Sequence, residues 1–416
     1  MQEQLSAAGR LELAPADWLL RERAGYWWRR ARTVGRRWLL SDVLSIFLAT
    51  RLAFLLLTYF GLALLHDPAL VGSTGVDVPS FQLSPWEYRD SQWYQTIGTD
   101  GYHYYGPGHR SAIAFFPIYP MVAKAVHMLS GIGLDVSLIL VANFSFLGAL
   151  IYLYKLCKRE YGEAVAHRAI FYMAVFPSAF FSFAPYSEPL FLFLSVASLY
   201  YMRGRRWWLA GLFGGFAAGT RILGVLLILA FIWEYLDSKD FKLRRIRGDL
   251  LAGALIPAGI GAYMLYLYGL TGDPLAFVRS AAGWNRVAMW PWQVLSTSLS
   301  DVPKSGVNHP YFQAHALIEN GLVVACLLTL LLGIRRIPFS FIIYGLTSMA
   351  VLLSAPVISC LIPITSMSRY LFVLAPVYII LARWGRWPIF DRLYVLLSAG
   401  GLALSATLFL NHMWGA

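Results

Sequence analysis

Hydrophobic positions in this chain come mostly in long unbroken runs, not in the alternating or three-to-four spacing of half-buried elements. Apolar runs lie near 43–65, 134–157, 164–183, 186–202, 207–221, 222–236, 248–269, 313–333, 339–360, 369–384 and 393–412. About 20 apolar residues cross the hydrocarbon core of a bilayer. The pattern therefore predicts an all-α polytopic membrane protein with about eleven transmembrane helices and no separate soluble domain. Two polar interludes remain, 66–133 and 270–312. Within the first, "FFPIYPMVAKAVHMLSG" (115–131) holds two prolines, Lys124 and His127, and is expected to lie along the membrane surface as an amphipathic helix.

Charge orders these runs. If 115–131 does not cross and the N-terminus is cytoplasmic, the inner pieces are 1–42, 155–168, 203–206, 237–249, 334–338 and 383–392. They carry 25 of the 34 Lys and Arg residues, in keeping with the positive-inside bias. A crossing at 115–131 would turn four basic loops outward. By the same reasoning 207–236 divides into two short helices meeting at "GTRILG", each about 21–23 Å long and so shorter than a bilayer core of roughly 30 Å. The turn bearing Arg221 is then expected below the outer surface, in a protein-lined cavity. Residues 1–42, with "RERAGYWWRRARTVGRRW", read as a basic cytoplasmic segment at the interface. Residues 43–416 form a single transmembrane domain, with 66–133 and 270–312 as its outer loops.

Composition agrees: 58% of residues are hydrophobic, 16% aromatic and 13% charged, and mean hydropathy is +0.58. The net charge of +12 reflects inward-facing loops, so nucleic acid is not an expected partner. Cys157, Cys326 and Cys360 show neither paired nor metal-ligand spacing. No His pattern of the HxxxH type occurs, and "GPG" at 106–108 reads as a turn. No metal, cofactor or nucleotide is expected.

The topology places Asp90, Asp100, Glu188, Arg221, Arg369 and the 270–312 loop on one side. Ionisable groups at membrane depth are costly and mark functional sites by default. In "SPWEYRDSQWYQTIGTDGY", Ser84 and Pro85 suit a helix start, and Trp86, Tyr94 and Ile97 are expected on an interfacial face. Asp90 can serve as a general base if its neighbours tune it; it can equally be a solvated acid paired with Arg89. Arg221 and Arg369 suit a phosphate through their forked donors, or a structural ion pair with Glu188.

At this point the chain resembles a known family. "RDSQWYQTIGTDGY" followed by "AFFPIYP" is similar to the first luminal loop of the PIG-V type mannosyltransferases, the GPI mannosyltransferase 2 family and its bacterial relatives. The likeness continues through "FPSAFFSFAPYSEPLFLFLSVASLYYMRGRRWWLAGLFGGFAAGTRILG", "TGDPLAFVRSAAGWNR" and "SMSRYLFVLAPVYIILA", in family order from about residue 85 to 384. The resemblance implies a GT-C glycosyltransferase fold. The implied activity moves a sugar, mannose in that family, from a polyprenyl- or dolichyl-phosphate donor to an acceptor hydroxyl of a glycolipid, glycan or protein. The acid of the family's first-loop motif carries over to Asp90 as catalytic residue. Arg221 and Arg369 are the expected donor phosphate ligands. Arg89, Trp93, Tyr94, Tyr186, Glu188 and Trp284 are the expected substrate-binding set. Arg89 and Ser91 depart from the family's Trp and Ala around that acid, which puts donor or acceptor preference in doubt. Localisation follows as a multi-pass protein of the bacterial plasma membrane, or of the ER membrane in a eukaryote, with its site on the outer or luminal face. The alternative is a transporter or scramblase for a lipid-linked sugar, which would use the same cationic cavity without a base; its paired broken helices have no second copy here.

Overall fold

The computed structural model describes residues 42–61, 83–305, 310–357 and 363–413. The basic segment 1–42 and Cys360 lie almost wholly outside these. The chain divides into two units, Met1–Ser45 and Ile46–Ala416, and the description below concerns the second.

The helices are α1 (Asp42–Gly61), α2 (Asp90–Thr99), α3 (Ile118–Ser130), α4 (Leu134–Tyr161), α5 (Glu163–Ala174), α6 (Glu188–Arg203), α7 (Trp207–Ala218), α8 (Leu227–Asp237), α9 (Leu255–Thr271) and α10 (Ala276–Ser280). They continue with α11 (Pro291–Ser305), α12 (Pro310–Leu332), α13 (Phe339–Leu353), α14 (Met367–Leu371), α15 (Ala375–Trp384) and α16 (Pro388–Leu410). Among the described residues the extended pairing is a single bridge, Arg286 to Val357. Five helical segments are long and apolar enough to cross a membrane: Asp42–Gly61, Leu134–Tyr161, Gly248–Thr271, Pro310–Leu332 and Pro388–Leu410. Leu48, Leu52 and Leu56 of α1 and Leu393, Leu396 and Leu397 of α16 are exposed along them, as lipid contact requires.

The other six apolar runs form helices of 10 to 16 residues. Proline breaks two of them. Pro376 stands at the start of α15, ending the run that opens with α14. After α5 the chain passes Pro177, a 3-10 turn at Ala179–Ser182 and Pro185 before α6 begins. Irregular backbone at membrane depth survives only inside protein, and residues 178–190 are all buried. These two breaks carry the site.

α3 is 13 residues long, about 20 Å, shorter than a bilayer core. The 207–236 run is a hairpin. Trp207 at the start of α7 lies with its ring centroid 5.0 Å from that of Tyr235 at the end of α8. At the turn, a Cβ on Gly224 would lie 2.3 Å from the Ala217 carbonyl carbon. α9 runs alongside α7 backbone to backbone, because a Cβ on Gly259 would come within 1.9 Å of the Gly215 carbonyl oxygen. The polar interludes pack on the end of α9. Ile113, Phe116, Tyr263, Leu267, Ala276 and Phe277 form one buried cluster there, and Tyr263 donates to the Ile113 carbonyl at 2.7 Å.

Arg51, midway along α1, is buried. Its guanidinium donates to Asn143 Oδ1 at 2.9 Å, Ser182 O at 3.1 Å and Ser182 Oγ at 2.6 Å. It stands over the rings of Phe47, Phe54, Phe146 and Phe183 at 4.9 to 5.8 Å. Cation–π attraction of this kind strengthens when the cation is desolvated, and these contacts pin α1 to α4 and to the 3-10 turn beneath the site.

Candidate functional site

Asp90 is the first residue of α2, where the helix dipole favours a carboxylate. The helix starts there and not at Ser84, because Ser84–Trp86 form a separate 3-10 turn and Arg89 takes φ 60°, ψ −115°, a conformation suited to glycine. The expected interfacial face of Trp86, Tyr94 and Ile97 is overturned, because all three are buried. Trp86 donates from Nε1 to Thr58 Oγ1 at 2.9 Å. Tyr186 fixes the approach to Asp90 by donating to the Tyr88 carbonyl at 2.6 Å. Asp100 caps the end of α2, ahead of Gly101 at φ 83°.

Arg369 reaches Asp90 from α14. Its Nη1 donates to Asp90 Oδ2 at 2.6 Å, its Nη2 donates to Tyr370 OH at 2.8 Å, and its Nε faces Glu188 Oε1 at 3.1 Å. Glu188 opens α6 and is fully buried. The same Oε1 meets Arg221 Nη1 at 2.8 Å, and that Nη1 also donates to Ser187 Oγ at 3.0 Å. Tyr94 OH donates to the same Ser187 oxygen at 2.8 Å. Burial, with Glu188 next in effect, raises the Tyr94 pKa, which keeps the phenol a neutral donor. The expected site residues Asp90, Glu188, Arg221 and Arg369 thus form one continuous charged chain, joined by Tyr94 through Ser187.

Three further groups complete it. Arg286 donates to Tyr370 OH at 3.3 Å and to the Ala355 carbonyl at 2.8 Å. The guanidiniums of Arg369, Arg221 and Arg286 surround the Tyr370 ring at 4.8, 5.1 and 5.8 Å. Glu319, buried in α12, accepts from Ser368 N and Ser368 Oγ, both at 2.7 Å, and holds the start of α14 in place. Arg286, Tyr370 and Glu319 are absent from the expected set. Arg286 and Tyr370 did lie in quoted motifs, "GWNR" and "SMSRY".

Trp93, Phe115 and Trp284 make an aromatic triangle with centroids 5.8 to 5.9 Å apart. Trp93 follows Asp90 by three residues, so both share a face of α2. The two polar interludes meet here, with Arg110 Nε donating to Gly283 O at 3.2 Å. Arg89 is exposed, its guanidinium 4.9 Å over the Tyr88 ring. Glu188, Tyr186 and Tyr94, three of the expected substrate contacts, are buried; Glu188 lies against Arg221 and Arg369, and Tyr186 bonds the Tyr88 backbone.

No family model matches this chain, and no curated protein does. Solved structures do. ArnT from Cupriavidus metallidurans bound to undecaprenyl phosphate superposes over 89% of this chain and 76% of its own, at 13% identity and a TM-score of 0.50. The chain has the GT-C fold. The Archaeoglobus fulgidus oligosaccharyltransferase AglB, solved with an inhibitory peptide and a dolichol-phosphate, matches at 13% identity over 91% of this chain and 56% of its own, with a TM-score of 0.42. With the GT-C fold and five helices able to cross a bilayer, this is an integral membrane protein.

Proposed function

We propose that this protein is a glycosyltransferase of the outer or luminal membrane face. It takes a sugar, mannose by family resemblance, from a polyprenyl- or dolichyl-phosphate donor. The acceptor is a hydroxyl on a glycolipid, glycan or protein. The observation that carries the reading is the contact between Arg369 and Asp90, with Arg221 and Arg286 converging beside it. Three guanidiniums converge on one place, around the Tyr370 ring. A lipid-phosphate sugar is a phosphodiester, and forked guanidinium donors suit its anionic oxygens. The ArnT neighbour was solved with such a lipid phosphate, undecaprenyl phosphate, which favours the same class of donor here.

In the transfer the acceptor oxygen attacks the anomeric carbon, the bond from that carbon to the phosphate oxygen breaks, and Asp90 takes the hydroxyl proton. The anomeric centre inverts. The leaving phosphate gains negative charge, which Arg221 and Arg369 stabilise. Arg369 couples the two halves, since the guanidinium that meets the phosphate is the one bonded to the base. The aromatic triangle of Trp93, Phe115 and Trp284 offers faces for a sugar ring, beside Arg89.

Purified protein incubated with labelled polyprenyl-phosphate mannose and a membrane extract should pass the label to one acceptor, with polyprenyl-phosphate glucose as the competing donor. Arg221→Gln and Arg369→Gln should raise KM for the donor above all. Full turnover by a normally folded Asp90→Asn variant would remove Asp90 from the role of base.

A further inference from the structure

α6 runs from Glu188 in the charged chain to Arg203 at the opposite end of the bundle, and there a second polar site is built. The last turns of α4 and α6 and the start of α7 enclose a cavity of about 280 Å³, lined chiefly by Tyr152, Lys155, Arg159, Tyr200, Tyr201 and Arg206. Three cations and three phenols face it, and no acid does.

The surrounding acids are already engaged elsewhere. Glu160 and Glu234 hold Arg203 at 2.8 and 3.1 Å, and Glu163 holds Lys158 at 2.7 Å. Arg159 shares Glu160 at 3.2 Å and donates to the Tyr200 carbonyl at 3.1 Å. Lys155 and Arg206 have no carboxylate partner among the described residues. Lys155 Nζ stands 5.1 Å over the Tyr152 ring, and Tyr152 OH meets Tyr201 OH at 2.9 Å. α7 begins beside the cavity without a side-chain cap from Arg206, so its first amides add to the positive field.

We propose that this cavity binds a phosphate ester, the headgroup of an anionic lipid. Lys155 and Arg206 supply charge, and in the Tyr152–Tyr201 pair the hydroxyl whose hydrogen is not spent in their mutual bond donates to a phosphate oxygen. The level in the membrane fits. The cavity lies at the end of α4, a helix able to cross a bilayer, and Trp208 at the start of α7 is 57% exposed, as interfacial tryptophans are. Basic pockets between membrane helices suit anionic headgroups for the same reason. Free phosphate shares the chemistry, and the test separates the two sources.

The full-length protein would be reconstituted in nanodiscs of phosphatidylcholine with rising phosphatidylglycerol, and retained lipids counted by native mass spectrometry. The expected result is one phosphatidylglycerol per chain that phosphatidylcholine does not replace. Lys155→Gln with Arg206→Gln should weaken its retention about thirtyfold, from the roughly fivefold each cation is worth near an anionic surface. Lys158→Gln, which removes a neighbouring charge outside the cavity, should leave retention unchanged. Lys155→Gln alone keeps the test readable if the double variant does not fold. Inorganic phosphate is the second arm: a rise in melting temperature, lost in the same variants, assigns the site to soluble phosphate, and no rise alongside lipid retention assigns it to the headgroup. Equal retention by wild type and double variant, or neither retention nor a phosphate response in wild type, overturns the proposal.

Discussion

Arg369 Nη1 lies 2.6 Å from Asp90 Oδ2, a contact between residues 279 positions apart that joins the opening turn of α2 to the break before α15. The pairing makes the proposed base and a proposed phosphate ligand a single unit. Asp90→Asn keeps the shape of the contact and removes its charge. Transfer should fall by about 10²- to 10⁴-fold, the usual worth of a general base, while thermal unfolding in detergent changes little. The ratio of labelled product formed by variant and wild type measures it.

Glu188 predicts a different pattern. It is fully buried between Arg221 and Arg369, so Glu188→Gln leaves two enclosed cations short of their carboxylate. Breaking one side of a buried ion pair costs about 3 to 5 kcal/mol. The variant should melt well below wild type and lose transfer as well. An unchanged melting temperature would mean that the carboxylate does not hold the arginines.

Much of this site could be read from the chain because an acid or arginine set among apolar residues is conspicuous. Asp90, Glu188, Arg221 and Arg369 stood out in that way, and all four converge. Arg286 and Tyr370 gave no such signal: an arginine in the polar 270–312 interlude costs nothing to keep, and a tyrosine near a helix end looks like any interfacial aromatic. Glu319, inside the apolar run 313–333, is conspicuous on the same ground, but its part in seating Arg369 lies in bonds to Ser368, 49 residues away. Trp86, Tyr94 and Ile97 are buried where an interfacial face was expected, because an apolar or aromatic position that packs against distant helices has the same local pattern as one that faces the membrane surface. The hairpin at 207–236 was legible because charge bookkeeping constrains topology, whereas contacts between residues hundreds apart have no counterpart in local pattern.

Two glycines in α9 should respond in opposite directions to the same substitution. A Cβ at Gly259 would stand 1.9 Å from the Gly215 carbonyl oxygen, whereas nothing lies within 4 Å of one at Gly261. Gly259→Ala should lower stability by about 1 to 3 kcal/mol through overpacking. Gly261→Ala should raise it by about 0.5 to 1 kcal/mol, the usual gain over glycine within a helix. Paired melting curves in one detergent decide this.

Arg89 carries backbone strain beside the proposed base. At φ 60°, ψ −115° a Cβ is costly, and such residues typically store about 1 to 3 kcal/mol. Arg89→Gly should therefore be at least as stable as wild type, and Arg89→Val less stable by about 1 to 3 kcal/mol because branching worsens the clash. If donor or acceptor choice rests on the guanidinium, both variants should change it alike.

The aromatic cage around Arg51 bears on how the chain is made. Its hydrogen-bond partners Asn143 and Ser182 lie 92 and 131 residues downstream. At 5 to 20 residues per second, α1 leaves the ribosome about 7 to 26 s before Ser182 exists. Through that interval a cation sits mid-helix with only the Phe47 and Phe54 rings of its own helix for company. Arg51 is thus a polar cost that α1 carries alone until α4 and the turn after α5 arrive to share it.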